Sequence, residues 1–171
     1  MSRLLLINPR RGKDQWWVLL LSLAVISVVG LLGAIASSNA REFYALLVKP
    51  SWAPGPGIFG PMWTLLYFMM AVAAWLVWRA RGRMSAVRGP MLLYAAQLLC
   101  NVLWSWLFFR WHMGGLALLD VCVLWLLILA TLVHFWLIKP LAGMLLVPYL
   151  LWVAFATALT AAQWRLNPDL L

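Results

Sequence analysis

A chain of 171 residues that is 66% hydrophobic and 10% charged lies outside the range of ordinary soluble domains, which are nearer half apolar and a quarter charged. Its net charge of +9 sits in short basic clusters between apolar runs rather than along a polar face, which argues against a nucleic-acid surface and fits orientation in a membrane. Lipid is therefore part of its solvent, and five spans of roughly 20 residues each would use most of the length.

Residues 1–15 read as a basic cytoplasmic tail with Arg3, Arg10, Arg11 and Lys13. The first span covers about 16–36 without a charge. A basic tail, an apolar run and Ala34-Ile35-Ala36 also fit a cleaved signal peptide, but the run is longer than a typical signal core. A long loop, about 37–57, leads to the second span at about 58–78, bounded by Lys49 and Arg79. The third span, about 89–109, places Pro90 in its first turn, where a missing N–H is tolerated. The fourth, about 114–137, alone carries ionisable groups, Asp120 and His134. The fifth, about 141–163, follows Pro140 and contains Pro148, which can bend it. Residues 166–171 form a short extracytoplasmic tail.

The expected fold is all-α: an integral membrane bundle of five transmembrane helices over 16–165, each bonding its own backbone polar groups. Short connections make consecutive helices antiparallel neighbours. One side of the membrane collects nine lysines and arginines (the tail, Arg79, Arg81, Arg83, Arg88 and Lys139) and the other four (Arg41, Lys49, Arg110 and Arg165). The positive-inside rule then puts the N-terminus in the cytoplasm and the C-terminus and long first loop outside. Cys100 and Cys122 lie in apolar runs with no metal or redox spacing and read as packing residues.

Thirteen tryptophans are the most unusual feature. Trp16, Trp17, Trp78, Trp111, Trp136 and Trp164 lie near span ends, as interfacial anchors do. Trp63, Trp104, Trp125 and Trp152 lie inside spans. On the third span Gln97, Asn101, Trp104 and Phe108 share one helical face, and a carboxamide pair on an apolar span should point inward. Phe59, Trp63 and Tyr67 form a stripe on the second span, and Tyr149, Trp152, Ala156 and Thr160 form one on the fifth. Three such faces can enclose a flat hydrophobic ligand or pack against one another; periodicity alone favours neither.

Lys49-Pro50-Ser51-Trp52-Ala53-Pro54 and Phe59-Gly60-Pro61-Met62-Trp63-Thr64-Leu65-Leu66-Tyr67 resemble the first loop and second helix of the TspO/MBR family. Its members are the tryptophan-rich sensory proteins of bacteria and the mitochondrial translocator protein, or peripheral benzodiazepine receptor. Tyr94-Ala95-Ala96-Gln97-Leu98 with Asn101, Trp104, Phe108 and Phe109 resembles its third helix, and Val147-Pro148-Tyr149-Leu150-Leu151-Trp152 with Ala156-Thr157 its fifth. The resemblance implies a homodimeric five-helix bundle in the bacterial inner membrane. It also implies a cavity near the extracytoplasmic side for protoporphyrin IX and related tetrapyrroles, sterols in some members, or synthetic benzodiazepine-type drugs. Carried over by position, Trp63 and Asn101 match ligand contacts, Trp152 and Ala156 the cavity wall, and Trp52 a lid tryptophan. With the faces found by periodicity, the candidate ligand-binding set is Trp52, Phe59, Trp63, Tyr67, Gln97, Asn101, Trp104, Tyr149, Trp152 and Ala156, with no obligatory cofactor.

Departures from the family pattern carry information. Pro54-Gly55 and Gly57 replace a more rigid, aromatic lid sequence and predict a flexible lid. Trp104-Ser105-Trp106 lacks the usual proline, which predicts loss of a kink in the third helix. Ala161 replaces the aromatic residue of the sterol pattern although Arg165 is kept, which argues against cholesterol. Asp120 reads as structural, near the outer interface, and His134 as interfacial. Three functions follow from the resemblance: a tetrapyrrole receptor or sensor, a porphyrin transporter, and a light-dependent porphyrin-degrading enzyme. The receptor leads, because no inverted repeat, activated nucleophile or acid–base pair is visible.

Overall fold

The structure is a computed structural model that describes residues 16–171; the basic tail expected over 1–15 lies outside the described residues. Five helices among them are long and apolar enough to cross a membrane. The first, α1 (Trp16–Ala36), is the least buried of the five, as expected of a helix apolar on every face. It packs mainly on α3 (Phe59–Arg81), where the Ser22 hydroxyl donates to the Ala71 carbonyl at 3.0 Å.

The connection between α1 and α3 is not a plain loop. It holds a short helix, α2 (Ala40–Leu46), and a 3₁₀ turn at Pro56–Ile58. Lys49 Nζ donates to the carbonyls of Tyr44 and Leu47 at 2.8 and 2.9 Å, placing a cation where the end of α2 leaves oxygens unpaired.

Helix α3 ends at Gly82, whose φ of 66° is the left-handed conformation a tight stop needs, and whose N–H bonds the Trp78 carbonyl at 2.7 Å. Only Gly82 and Arg83 separate it from α4 (Met84–Ser105), so α4 starts before the expected third span. Pro90 therefore lies inside the helix, not in its first turn. Its missing N–H frees the carbonyl of Ala86, an exposed residue near the helix start, where the loss is cheapest.

Beyond Ser105 the helix continues as a π-helical turn, Trp106–Arg110, in which Trp111 N–H reaches back five residues to the Trp106 carbonyl at 2.9 Å. The expectation of a simpler helix at Trp104-Ser105-Trp106 is corrected here. Without proline the helix leaves α geometry by widening. His112 then takes a left-handed φ of 54°, and α5 runs over Gly114–Ile138.

The fifth span is broken. α6 (Pro140–Met144) and α7 (Val147–Leu166) meet at Leu145 and Leu146, with Pro148 in the first turn of α7, where its absent N–H has no partner to lose. α5 packs most extensively on α4 and α7 and closely on α6. Small residues allow these approaches: Ala71, Ala73 and Ala74 on α3 are buried, as are Ala142 and Gly143 on α6. The main core joins Leu66, Met70, Leu98, Leu124, Ile128 and Phe135. A smaller cluster of Phe43, Tyr44, Leu47, Leu107, Phe108 and Ala117 binds α2 to the π turn and the start of α5.

Candidate functional site

At the first-loop end of the bundle, α7 leans on α5 and leaves space toward α1 and α3. A cavity of about 460 Å³ fills that space, within the size range of small-molecule sites. Its aromatic walls come from three helices. Phe59, Trp63 and Tyr67 line it from α3, Trp104 and Phe108 from α4 and the π turn, and Trp152 from α7. Trp104 and Phe108 stack at 5.4 Å with planes 12° apart, while Phe59 meets Trp152 edge-on at 6.0 Å. Ala156 also lines the cavity, as do Leu159, Thr160 and Gln163 one and two turns further along α7.

Asn101, a predicted ligand contact, does not line the cavity. It is 3% exposed and locked behind the wall, with Oδ1 accepting from the Tyr67 hydroxyl at 2.8 Å and Nδ2 donating to the Tyr149 hydroxyl at 3.2 Å. Asn101 ties α3, α4 and α7 together and fixes the Tyr67 ring that does face the cavity. Tyr149 is likewise buried behind Trp63, edge-on at 6.1 Å. Gln97 shares the inward face of α4 but lies outside the lining, with neither side-chain polar atom partnered. Trp52 is 48% exposed and packs on Phe155, one ring removed from Trp152, so it does not cover the cavity. The loop residues that border it are Ala40, Arg41, Tyr44 and Pro56.

Helix α1 supplies a wall that periodicity missed. Gly30, Gly33, Ala34 and Ser37 line the cavity, and a methyl group added at Gly30 would sit 3.3 Å from the Tyr67 ring. Small residues create space and leave no aromatic stripe; their helical spacing along the first span was the available signal.

The loop is fastened at several points. The Tyr44 hydroxyl donates to the Pro54 carbonyl at 2.9 Å, and burial raises the phenol's pKa, which keeps it a neutral donor. Phe43 stacks on His112 at 4.2 Å and meets Phe108 edge-on at 6.1 Å. The expected flexible lid thus rests on an anchored base. Two residues of the lining carry a buried donor without a partner, Trp104 at Nε1 and Gln163 at Nε2.

Asp120 and His134 lie apart from the cavity lining. Asp120 is buried, with Oδ2 unpartnered, while His134 is exposed and its Nδ1 pairs with the Ala130 carbonyl at 2.8 Å. Among the end tryptophans, Trp16 and Trp17 are well exposed and lean on Trp75 and Trp78.

Five spanning helices around an aromatic cavity define this as an integral membrane protein with an internal site of small-molecule size. The sequence pattern of the TspO/MBR family matches residues 21–165, and the chain belongs to that family. It is similar to the tryptophan-rich protein TspO of Chlorobaculum tepidum, at 36% identity over 155 residues, 90% of this chain and 98% of the relative. Protein CrtK of Rhodobacter capsulatus is 40% identical over 140 residues, 81% of this chain and 86% of its own. The translocator protein of Homo sapiens is 40% identical over 127 residues, 74% and 75% of the two chains.

Proposed function

We propose that this protein is a membrane receptor or sensor that binds tetrapyrroles such as protoporphyrin IX in the intrabundle cavity. The observation that carries the reading is the cavity itself: about 460 Å³, walled by Trp63, Trp104, Phe108 and Trp152, with Arg41 at its border. Indole and phenyl faces suit a flat conjugated ring. The proposal includes sidedness. Arg79, Arg81, Arg83 and Arg88 surround the α3–α4 connection, at the end opposite the first loop, which favours that end in the cytoplasm and the cavity toward the outside.

Transport is less well supported. Among the described residues one span is broken, at Leu145 and Leu146, at the far end from the cavity, whereas paired midplane breaks mark many secondary transporters. The test is a titration of detergent-solubilised protein with protoporphyrin IX, followed by tryptophan quenching in darkness and in light. Saturable quenching that Trp63→Ala weakens by roughly tenfold or more, equivalent to about 1.4 kcal/mol, is expected. Quenching that never saturates would overturn the reading, and light-dependent loss of porphyrin requiring Trp152 would replace it with an enzymatic one.

A further inference from the structure

We propose that the cavity takes its ligand by a carboxylate-bearing edge, with Arg41 as the anion partner and Lys49 as a second cation in the same vestibule. This rests on the tetrapyrrole reading and adds to it the chemical group by which the ligand is recognised.

Arg41 belongs to two spaces at once. It borders the aromatic cavity, and with Tyr44, Lys49 and Pro56 it borders a second, more open hollow of about 380 Å³ under the first loop. Tyr44 and Pro56 are common to both, so the hollows adjoin along this edge. Among the described residues, no Asp or Glu lines either of them. Glu42 is next to Arg41 in sequence, but consecutive helical residues point in different directions, and Glu42 lines neither hollow. Among the described residues Arg41 has no ion pair or hydrogen bond, whereas Lys49 is held over the Tyr44 ring at 5.0 Å by the carbonyls it caps.

The cavity lining repeats the same preference. Its two buried, unpartnered polar atoms, Trp104 Nε1 and Gln163 Nε2, are both donors, and Gln163 is 2% exposed. Wall residues with unpartnered donors and, at the rim, a guanidinium without a partner among the described residues suit acceptor oxygens on the ligand. A guanidinium meets a carboxylate through two parallel hydrogen bonds, a geometry an ester cannot match at full strength. Protoporphyrin IX carries both propionates on one edge of its macrocycle. That edge can face Arg41 and Lys49 while the opposite edge remains among the aromatic rings.

The full chain in non-ionic detergent would be titrated with protoporphyrin IX and with its dimethyl ester, using wild type, Arg41→Gln and Arg41→Lys. Wild type is expected to bind the diacid roughly tenfold more tightly than the diester. Arg41→Gln should remove that preference by weakening the diacid alone, and Arg41→Lys should restore part of it. Thermal melting of each variant, unchanged from wild type, would show that the loop is still folded. Equal affinity of wild type for diacid and diester would overturn the inference and leave the cavity reading intact. Arg41→Gln weakening both ligands alike would also overturn it. Failure of both ligands to bind wild type would overturn the cavity reading, and this inference with it.

Discussion

Asn167 grips the backbone of Val48 at two points, its Oδ1 accepting from the Val48 N–H at 2.8 Å and its Nδ2 donating to the Val48 carbonyl at 2.9 Å. A third bond, from Nδ2 to the Gln163 carbonyl at 2.7 Å, fixes the side chain to the end of α7. The C-terminal end of the bundle thereby holds the first loop just before Lys49. Asn167→Asp replaces the donor with an acceptor facing two carbonyls. It should cost about 1–3 kcal/mol, the usual penalty for stranded buried polar groups. Hydrogen exchange at Val48 should accelerate in this variant while exchange in α5 is unchanged, and equal acceleration at both places would refute the clamp.

The Tyr67–Asn101–Tyr149 chain should behave as a unit. Tyr67→Phe strands Asn101 Oδ1 and should destabilise the protein by about 1–3 kcal/mol. Asn101→Leu removes both hydrogen bonds of the amide. The double variant should therefore lose less stability than the two single losses added together, as expected of residues in one network. Additive losses in a denaturation series would show that the bonds act independently.

Two glycines predict opposite outcomes. An added methyl group at Gly143 would lie 2.7 Å from Trp136 Cβ and 2.9 Å from its Cα, so backbone must move. Gly143→Ala should destabilise by about 1–3 kcal/mol, the range for overpacking. Gly89, inside α4, has nothing within 4 Å of that position, and Gly89→Ala should stabilise by about 0.5–1 kcal/mol through helix propensity. Melting temperatures should therefore move in opposite directions.

Filling the cavity should abolish binding without unfolding the bundle. Ala156 lines the space from α7, and Ala156→Trp places an indole where the ligand is proposed to sit. Porphyrin affinity should fall at least about tenfold, with circular dichroism unchanged. Trp125→Phe, outside the lining, should leave affinity within about twofold.

The aromatic stripes were legible in sequence because ring-bearing residues recur at helical spacing. Phe59, Trp63 and Tyr67 all face the cavity as that spacing requires, and Trp104, Trp152 and Ala156 join them. Asn101 and Tyr149 were recognised as inward-facing, but depth along the inward direction is not encoded by period. An inward polar residue can face a ligand or a neighbouring helix, and here each found the other. Trp52 was misplaced for a related reason: a loop sequence does not state which side of α7 its rings will meet. The π turn and the break at Leu145 and Leu146 carried no clear signature either, since both depend on packing between helices that are distant in sequence.

The π turn at Trp106–Arg110 links wall and loop by counting. In an α-helix each residue advances the direction of the side chain by roughly 100°. The wider turn fits an additional residue into the arc, so every later position arrives rotated and delayed relative to an unbroken α4. The cavity face of Phe108 and the arrival of His112 under Phe43 are set by that same added residue. Removing one residue from this stretch would shift a ring in the wall and withdraw a support from the loop together. The two therefore cannot vary independently, and insertions or deletions near Ser105 are constrained far more tightly than their distance from the loop in sequence would indicate.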